Sequence, residues 1–181
     1  MAILVVGGST KDIGKTALVC AIIAALREFD WTAVKISGHD YAPEGSAQIR
    51  EEKIWEETEG GTETDTARYL AAGARRALLV MRSGAEVPVE GIRRAIGADR
   101  NVIYESNRIV DVIKPDVCLA LLAEDANKKA SFERLLRVAD AVVSVGGVAE
   151  EAPMDIRRFR LKSADQLSPD MVKWLRERLR I

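Results

Sequence analysis

Short apolar runs alternate with amphipathic segments along most of this chain. Strand-like apolar runs occupy residues 3–6, 31–37, 75–82, 101–104, 116–122, 141–145 and 156–161. Segments with a helical spacing of apolar positions fill the intervals, at residues 15–29, 64–72, 89–96, 131–138 and from 168 onward. Several strands are apolar throughout, which is typical of strands buried on both faces. The pattern predicts an α/β fold, a doubly wound and mainly parallel sheet with helices on both faces.

The ends of the predicted helices carry their own signals. Gly73 is placed to end the second helix as a left-handed cap, and Pro88 stands just before the third. Ser168 followed by Pro169 is a favourable start for the last helix. We predict that the inner face of that helix consists of Val172, Leu175 and Leu179.

One connection is longer than the loops of ordinary α/β units. Residues 38–62 are acidic and carry few apolar side chains, with Trp55 near the centre. Such a segment is a lid, a binding loop or a disordered stretch. Trp55 would then dock on a substrate or a partner chain. The alternative, which the composition slightly favours, is a solvated and partly helical excursion.

Composition narrows the class of protein. The chain has 27 Lys and Arg against 28 Asp and Glu, so its net charge of −1 gives no general attraction to nucleic acid or membranes. Its length fits a single domain spanning residues 1–181. We see no signal peptide and no apolar run of about 18 residues, and therefore expect a cytoplasmic protein. Cys20 and Cys118 are predicted to be buried thiols, because their spacing suits neither metal nor redox chemistry.

The most specific chemical signal lies between the first strand and the first helix. The strand runs into a turn that ends in Gly14-Lys15-Thr16 at the head of the helix. Backbone N–H groups of such a turn and the helix N-terminus bind phosphate, Lys15 adds a mobile charge, and the Thr16 hydroxyl is suited to Mg²⁺. We predict that this loop binds the nucleotide through Gly8, Ser9, Thr10, Lys11, Asp12, Ile13, Gly14, Lys15, Thr16 and Ala17.

The spacing of this loop differs from the usual phosphate-binding motif. Five residues, rather than four, separate Gly8 from Gly14, and this G-x5-G-K-T form resembles the loop of the dethiobiotin synthetases. Lys11 is either a second phosphate-contacting lysine or a solvent-exposed turn residue. The sequence leaves both interpretations open.

Polar residues lie at or just after the ends of three other predicted strands, at the edge where a parallel sheet binds ligands. They are Lys35, Asp40, Glu105 and Asp125. Because Mg²⁺ takes one or two carboxylates besides phosphate oxygens, we predict a metal site made by Thr16, Asp40 and Glu105. Lys15 and Lys35 are the candidate catalytic residues. His39 is interpreted as a polar loop residue rather than a base.

A second resemblance covers about the first 125 residues. Lys35 with the His/Asp turn after it, the helix beginning Asp65-Thr66-Ala67-Arg68, and Gly73-Ala74 occur in the order seen in the molybdopterin-guanine dinucleotide biosynthesis protein B family. This resemblance implies a small dimeric protein that binds GTP and assists cofactor maturation. It also implies a partner, either a small molecule or a protein of the molybdopterin pathway.

This chain departs from that family at two motifs. Glu105 is followed by Ser106 and Asn107 rather than glycine, and Asn127-Lys128 lacks the aspartate of a guanine-binding motif, because Ala130 stands in its place. The nucleotide is therefore GTP or ATP.

Three functions remain in competition. The first is an accessory NTPase of molybdenum-cofactor (molybdopterin guanine dinucleotide) biosynthesis. The second is an ATP-dependent ligase or kinase like dethiobiotin synthetase, in which Lys35 would hold an acyl phosphate or carbamate. The third is a regulatory switch whose long loop orders when nucleotide binds.

Overall fold

The computed structural model describes residues 1–38, 47–48, 53–82, 84, 86–123, 130–146 and 156–179. The strands are β1 Ala2–Gly8, β2 Thr32–Ser37, β3 Ala47–Gln48, β4 Ile54–Glu56, β5 Arg76–Met81, β6 Asn101–Glu105, β7 Val117–Leu122, β8 Ala141–Val145 and β9 Arg157–Leu161. The helices are α1 Lys15–Ala25, α2 Asp65–Ala72, α3 Val89–Ile96, α4 Ala130–Arg137 and α5 Pro169–Leu179, with 3-10 turns at Arg27–Phe29 and Ile109–Asp111.

All the strands belong to one sheet, in the order β3-β4-β5-β2-β6-β1-β7-β8-β9. Along the sheet, every pair of neighbouring strands between β5 and β9 is parallel. Strand β4 runs antiparallel to both of its neighbours, β3 and β5. The predicted doubly wound, mainly parallel α/β fold is therefore confirmed. Strand β1 lies between β6 and β7, so the loop after β1 opens at the carboxyl edge of the sheet beside the ends of both neighbours.

Two apolar layers cover the two faces of the sheet. On one face, α1 and α5 contribute Leu18, Ile22, Met171 and Leu175, all fully buried, and Tyr69 of α2 joins them. On the other face, the buried residues of α3 and α4 are Ile92, Ala95, Ile96, Phe132 and Leu135. Burial on both sides explains why the central strands are apolar throughout.

Two short parts of the long acidic connection differ from the prediction. Part of residues 38–62 forms β3 and β4, which extend the sheet beyond β5, rather than a solvated, partly helical excursion. Ile54 is 0% exposed and Trp55 is 9% exposed, so these side chains pack against the protein. Ile54 and Trp55 are buried because β4 pairs with β5, and the local composition does not reveal this pairing. Residues 39–46 and 49–52 lie outside the described residues.

Several element ends are confirmed, and others shift by a few residues. Gly73 ends α2 with a φ of 107°, and its N–H donates to Leu70 O at 2.9 Å. Ser168 caps α5, since its Oγ accepts the Met171 N–H at 3.2 Å. Helix α1 stops at Ala25 and passes into the 3-10 turn instead of continuing to residue 29.

The inner face of α5 differs by one position from the prediction. Met171 is fully buried with Leu175, and Leu179 is 7% exposed, whereas Val172 is only partly buried. Within the described residues, every helix is too short or too polar to cross a bilayer.

The two cysteines differ in burial. Cys118 in β7 is buried as predicted, but Cys20 in α1 is only partly buried. Burial raises the pKa of the Cys118 thiol to about 12 and that of Cys20 to about 11, so both thiols are protonated at neutral pH.

Candidate functional site

The loop after β1 is fastened at its start to both neighbouring strands. Gly8 N–H donates to Asn107 Oδ1 at 2.8 Å, and Asn107 Nδ2 donates back to Gly8 O at 2.9 Å. On the other side, Ser9 N–H donates to Leu121 O at 2.9 Å, and the Ser9 hydroxyl accepts the Ala123 N–H at 3.0 Å. These hydrogen bonds hold the start of the loop in a fixed position beside the residues that follow β6 and β7.

The loop then turns into α1 through a glycine that no other residue could replace without strain. Gly14 has a φ of 96°, and a Cβ on it would lie 2.8 Å from the Cβ of Ala164. The N–H groups of Lys15, Thr16 and Ala17 follow in the first turn of the helix, where they have no intrahelical acceptor. The Lys15 ammonium donates to Thr10 O at 2.8 Å, so its side chain folds back along the loop.

A cavity of about 650 Å³ borders this loop. All ten loop residues predicted to bind nucleotide line it except Ser9 and Ile13. Ser9 is fully buried, and its hydroxyl connects the loop to Ala123, just after β7, instead of facing the cavity. Lys11 is exposed and lines the cavity, which places its charge within reach of an anion bound there.

Glu105 is the buried carboxylate at the base of the cavity. It ends β6, level with Val6 of β1 and Lys35 of β2, and is 3% exposed. Its carboxylate accepts hydrogen bonds from the Thr16 hydroxyl at 2.8 Å and from the Lys35 ammonium and the Tyr69 hydroxyl. The structure therefore brings Thr16, Lys35 and Glu105 together.

The third predicted metal ligand, Asp40, lies outside the described residues, as do His39, Asp125 and the Asn127-Lys128 pair.

Asp65 is a second carboxylate of the site, and the sequence analysis noted it only as part of a family motif. It is the first residue of α2, and its Oδ2 lies 2.9 Å from the Lys35 ammonium. Burial would raise the pKa of Asp65, but the charge of Lys35, its hydrogen bond to Asp65 and the charge of Arg68 lower that pKa below its usual value. Burial would likewise lower the pKa of Lys35, yet Glu105 and Asp65 outweigh burial and raise it. Both groups are therefore charged at neutral pH.

Tyr69 lies one helical turn after Asp65, so both reach the same site from one face of α2. Burial and the adjacent charge of Glu105 raise the pKa of the Tyr69 hydroxyl well above its usual value, which keeps it a hydrogen-bond donor. Sequence reasoning did not identify Tyr69, because an apolar helix face does not show which residue meets the sheet edge.

The cavity is positively charged, although the chain as a whole is nearly neutral. Six Lys or Arg residues line it against three Asp or Glu residues, in a chain of net charge −1. The loop N–H groups and the helix N-terminus add to this potential. The site thus favours an anion with several negative oxygens.

The donors beside the loop also fit a small hard cation. Mg²⁺ prefers oxygen ligands and usually takes only one or two carboxylates, the rest being phosphate and water oxygens. The Thr16 hydroxyl and the Glu105 carboxylate are oxygens of this kind. In the described part of the chain, no cluster of three or more His, Cys, Asp or Glu side chains could hold a metal by itself. This donor set therefore fits a cation that arrives with a phosphate ligand.

No model of a known protein family and no curated protein sequence matches this chain. The solved structures that resemble it include the following three. LpxK of Aquifex aeolicus in complex with ATP is 17% identical with a TM-score of 0.54, over 88% of this chain and 53% of that one. HypB of Helicobacter pylori in complex with nickel is 15% identical with a TM-score of 0.58, over 99% and 87%. MobB of Bacillus subtilis is 17% identical with a TM-score of 0.50, over 99% of both chains.

These identities are low, so the comparisons establish the fold. The chain has the fold of the P-loop NTPases and resembles MobB over its whole length. It spans about half the length of LpxK.

Proposed function

We propose that this protein binds a nucleoside triphosphate, GTP or ATP, together with Mg²⁺, in the cavity beside the loop of residues 8–17. The observation that carries this proposal is the hydrogen bond of 2.8 Å between Thr16, at the head of α1, and Glu105, at the end of the adjacent strand β6. It joins a hydroxyl suited to Mg²⁺ to a buried carboxylate, beside the N–H groups of the first turn of α1. That combination matches the needs of a magnesium-bound triphosphate.

Each residue then has a defined role. The loop N–H groups and the Lys15 ammonium bind the phosphates, while Thr16 and Glu105 hold Mg²⁺, with Asp40 as a further ligand. The metal offsets the charge of the phosphate oxygens. Lys35 is held beside Glu105 and Asp65, at the carboxyl edge of β2, where a positive charge would stabilise a phosphoryl group in transit.

We further propose that the protein is an accessory NTPase of molybdenum-cofactor biosynthesis, acting in the formation of molybdopterin guanine dinucleotide. Two observations support this role. MobB matches this chain over 99% of the length of both proteins. In addition, Lys35 and Asp65, which belong to separate motifs of the sequence resemblance, form an ion pair in the site. The proposal includes a homodimer, which light scattering would test.

Turnover distinguishes this function from the alternative, an ATP-dependent ligase or kinase with Lys35 at the reacting group. An accessory NTPase hydrolyses its nucleotide slowly, and no small-molecule acceptor is needed. A ligase shows little hydrolysis until its acceptor is added. The proposal predicts slow, acceptor-independent release of phosphate that requires Mg²⁺, and a burst of product formation only with added metabolites would contradict it.

The identity of the base requires a separate experiment. Crystals grown with Mg²⁺ and an equimolar mixture of AMPPNP and GMPPNP would reveal which base occupies the site. The accessory role predicts GMPPNP with its phosphates on residues 8–17. Phosphates bound elsewhere would contradict the assignment of the loop.

A further inference from the structure

Two arginines lie just after strands β5 and β6, at the carboxyl edge of the sheet. Arg82 directly follows β5, and its backbone N–H donates to Ser37 O at 3.0 Å. Arg108 follows β6 by three residues, and its N–H donates to the Ser106 hydroxyl at 3.1 Å. Both side chains are partly buried and line the same cavity as Lys35 and Glu105.

Within the described residues, neither arginine forms an ion pair with a carboxylate. Arginines elsewhere do, including Arg76 with Glu56 at 2.6 Å and Arg176 with Glu28 at 2.8 Å. Burial and the positive charge of Arg108 lower the pKa of Arg82, so the two arginines are near enough for their like charges to repel each other. This arrangement is unfavourable on its own, and an anion between the guanidinium groups would relieve it.

The backbone at the end of β2 leaves room for one of these groups. The guanidinium of Arg82 lies over Gly38, so closely that a Cβ there would be 2.5 Å from Arg82 Nη2. A larger residue at this position would require the guanidinium to shift. Gly38 thus leaves room for the Arg82 guanidinium at the sheet edge.

Arg108 also borders a second cavity, of about 540 Å³, next to the start of α3. Apolar groups of Val87, Pro88, Val89 and Val112 form part of its lining. Two of its acids are already paired, Asp111 with Arg134 at 3.0 Å and Glu90 with Arg93 at 2.8 Å. Arg108 therefore lines both the loop cavity and this partly apolar cleft.

We propose that Arg82 and Arg108 bind the phosphate monoester group of a second, small-molecule ligand, whose remaining atoms lie in the cleft beside α3. Two forked guanidinium groups offer paired donors and two positive charges, and a phosphate dianion satisfies both. The nucleotide phosphates have their own donors in residues 8–17. This inference rests on the proposed nucleotide site and adds a second ligand beside the nucleotide.

The test uses the full chain saturated with Mg²⁺ and the nonhydrolysable nucleotide that binds better. Calorimetry then measures the binding of phenyl phosphate and of benzoate. The proposal predicts that phenyl phosphate binds about tenfold more tightly than benzoate, and that Arg82→Ala and Arg108→Ala each weaken it by about tenfold or more. Arg178→Ala removes the same charge from α5, where Arg178 pairs with Asp140, and serves as the matched control with unchanged binding.

Three results would overturn the proposal. Phenyl phosphate fails to bind the nucleotide-loaded protein, benzoate binds equally well, or both arginine variants abolish the preference for triphosphate over diphosphate. The last result would assign the arginines to the nucleotide's own γ-phosphate.

A failure of the nucleotide site itself is distinguishable. If the wild-type protein binds no nucleotide, phenyl phosphate is titrated into nucleotide-free Lys15→Ala, in which the loop lacks its lysine. If phenyl phosphate still binds, and if its binding depends on Arg82 and Arg108, the second site is supported. If phenyl phosphate does not bind, the second site is overturned.

Discussion

Replacing Glu105 with glutamine tests the metal site while keeping the size of the side chain. The wild-type carboxylate is 3% exposed and accepts hydrogen bonds from Thr16, Lys35 and Tyr69. The amide has one acceptor oxygen and brings an NH₂ group among three donors. It therefore loses the negative charge and leaves at least one buried donor without its partner.

The size of both effects follows from these contacts. Removing one member of a buried ion pair costs about 3–5 kcal/mol of unfolding free energy. Lys35 keeps Asp65 at 2.9 Å, so we expect the lower end, about 3 kcal/mol. Loss of a group that supports a metal weakens metal-dependent binding by about ten- to hundredfold. Glu105→Gln should therefore weaken Mg²⁺-nucleotide binding by this factor and metal-free nucleotide binding much less.

Calorimetry with and without Mg²⁺, together with urea unfolding, measures the two effects separately. Asp99→Asn is the matched control, because Asp99 also accepts a hydroxyl, that of Thr32 at 2.6 Å, and pairs with Arg75 and Arg76. Asp99 lies at the opposite edge of the sheet, before β6, so its loss should destabilise the fold without changing the Mg²⁺ dependence. Unaltered Mg²⁺ dependence in Glu105→Gln would refute the proposed metal site.

Three further predictions concern the fold and its titration. Ile54→Ala should lower the free energy of unfolding by about 2–5 kcal/mol, because Ile54 is fully buried in β4, whereas Val112→Ala at an exposed position should change it by less than about 0.5 kcal/mol. Cys20 and Cys118, with thiol pKa values raised by burial to about 11 and about 12, should react with DTNB at pH 8 about tenfold or more slowly in the native protein than in urea. The stability difference between wild type and Asp99→Asn should be constant above pH 3.8 and shrink below it, because burial is outweighed by the Thr32, Arg75 and Arg76 hydrogen bonds that lower the pKa of Asp99 in the folded state.

Each of these predictions has an opposing result. A cost below about 1 kcal/mol for Ile54→Ala would mean that β4 does not pack as described. Thiols that react as quickly in the native protein as in urea would contradict their burial. An Asp99→Asn difference that grows as the pH falls through 3.8 would contradict the sign of the pKa shift.

The central part of the site was predictable because it depends on strand order. Residues after parallel strands meet at one edge of the sheet, and the apolar runs marked where those strands end. Lys15, Thr16, Lys35 and Glu105 could therefore be placed together from the sequence, and they lie together in the structure.

The missed residues depend on contacts between segments distant in sequence. Asp65 and Tyr69 reach the site only because α2 presents one particular face to the end of β6, which its spacing does not reveal. Likewise, Ile54 and Trp55 are isolated apolar residues in an acidic segment, and pairing with β5 makes them a strand. The local composition reveals neither the contacts of α2 with the site nor the pairing of β4 with β5.

The most direct test of the account compares nucleotide binding by the wild type and by Lys15→Ala. The side chain of Lys15 is only partly buried and bonds to its own loop through Thr10 O, so its removal should leave the fold intact by circular dichroism. Lys173→Ala, at an exposed position of α5, is the control for loss of a charge. With Mg²⁺ and ATP or GTP, the account predicts measurable binding by the wild type and the control and no detectable binding by Lys15→Ala. Unchanged affinity in Lys15→Ala would contradict the assignment of this loop as the nucleotide site.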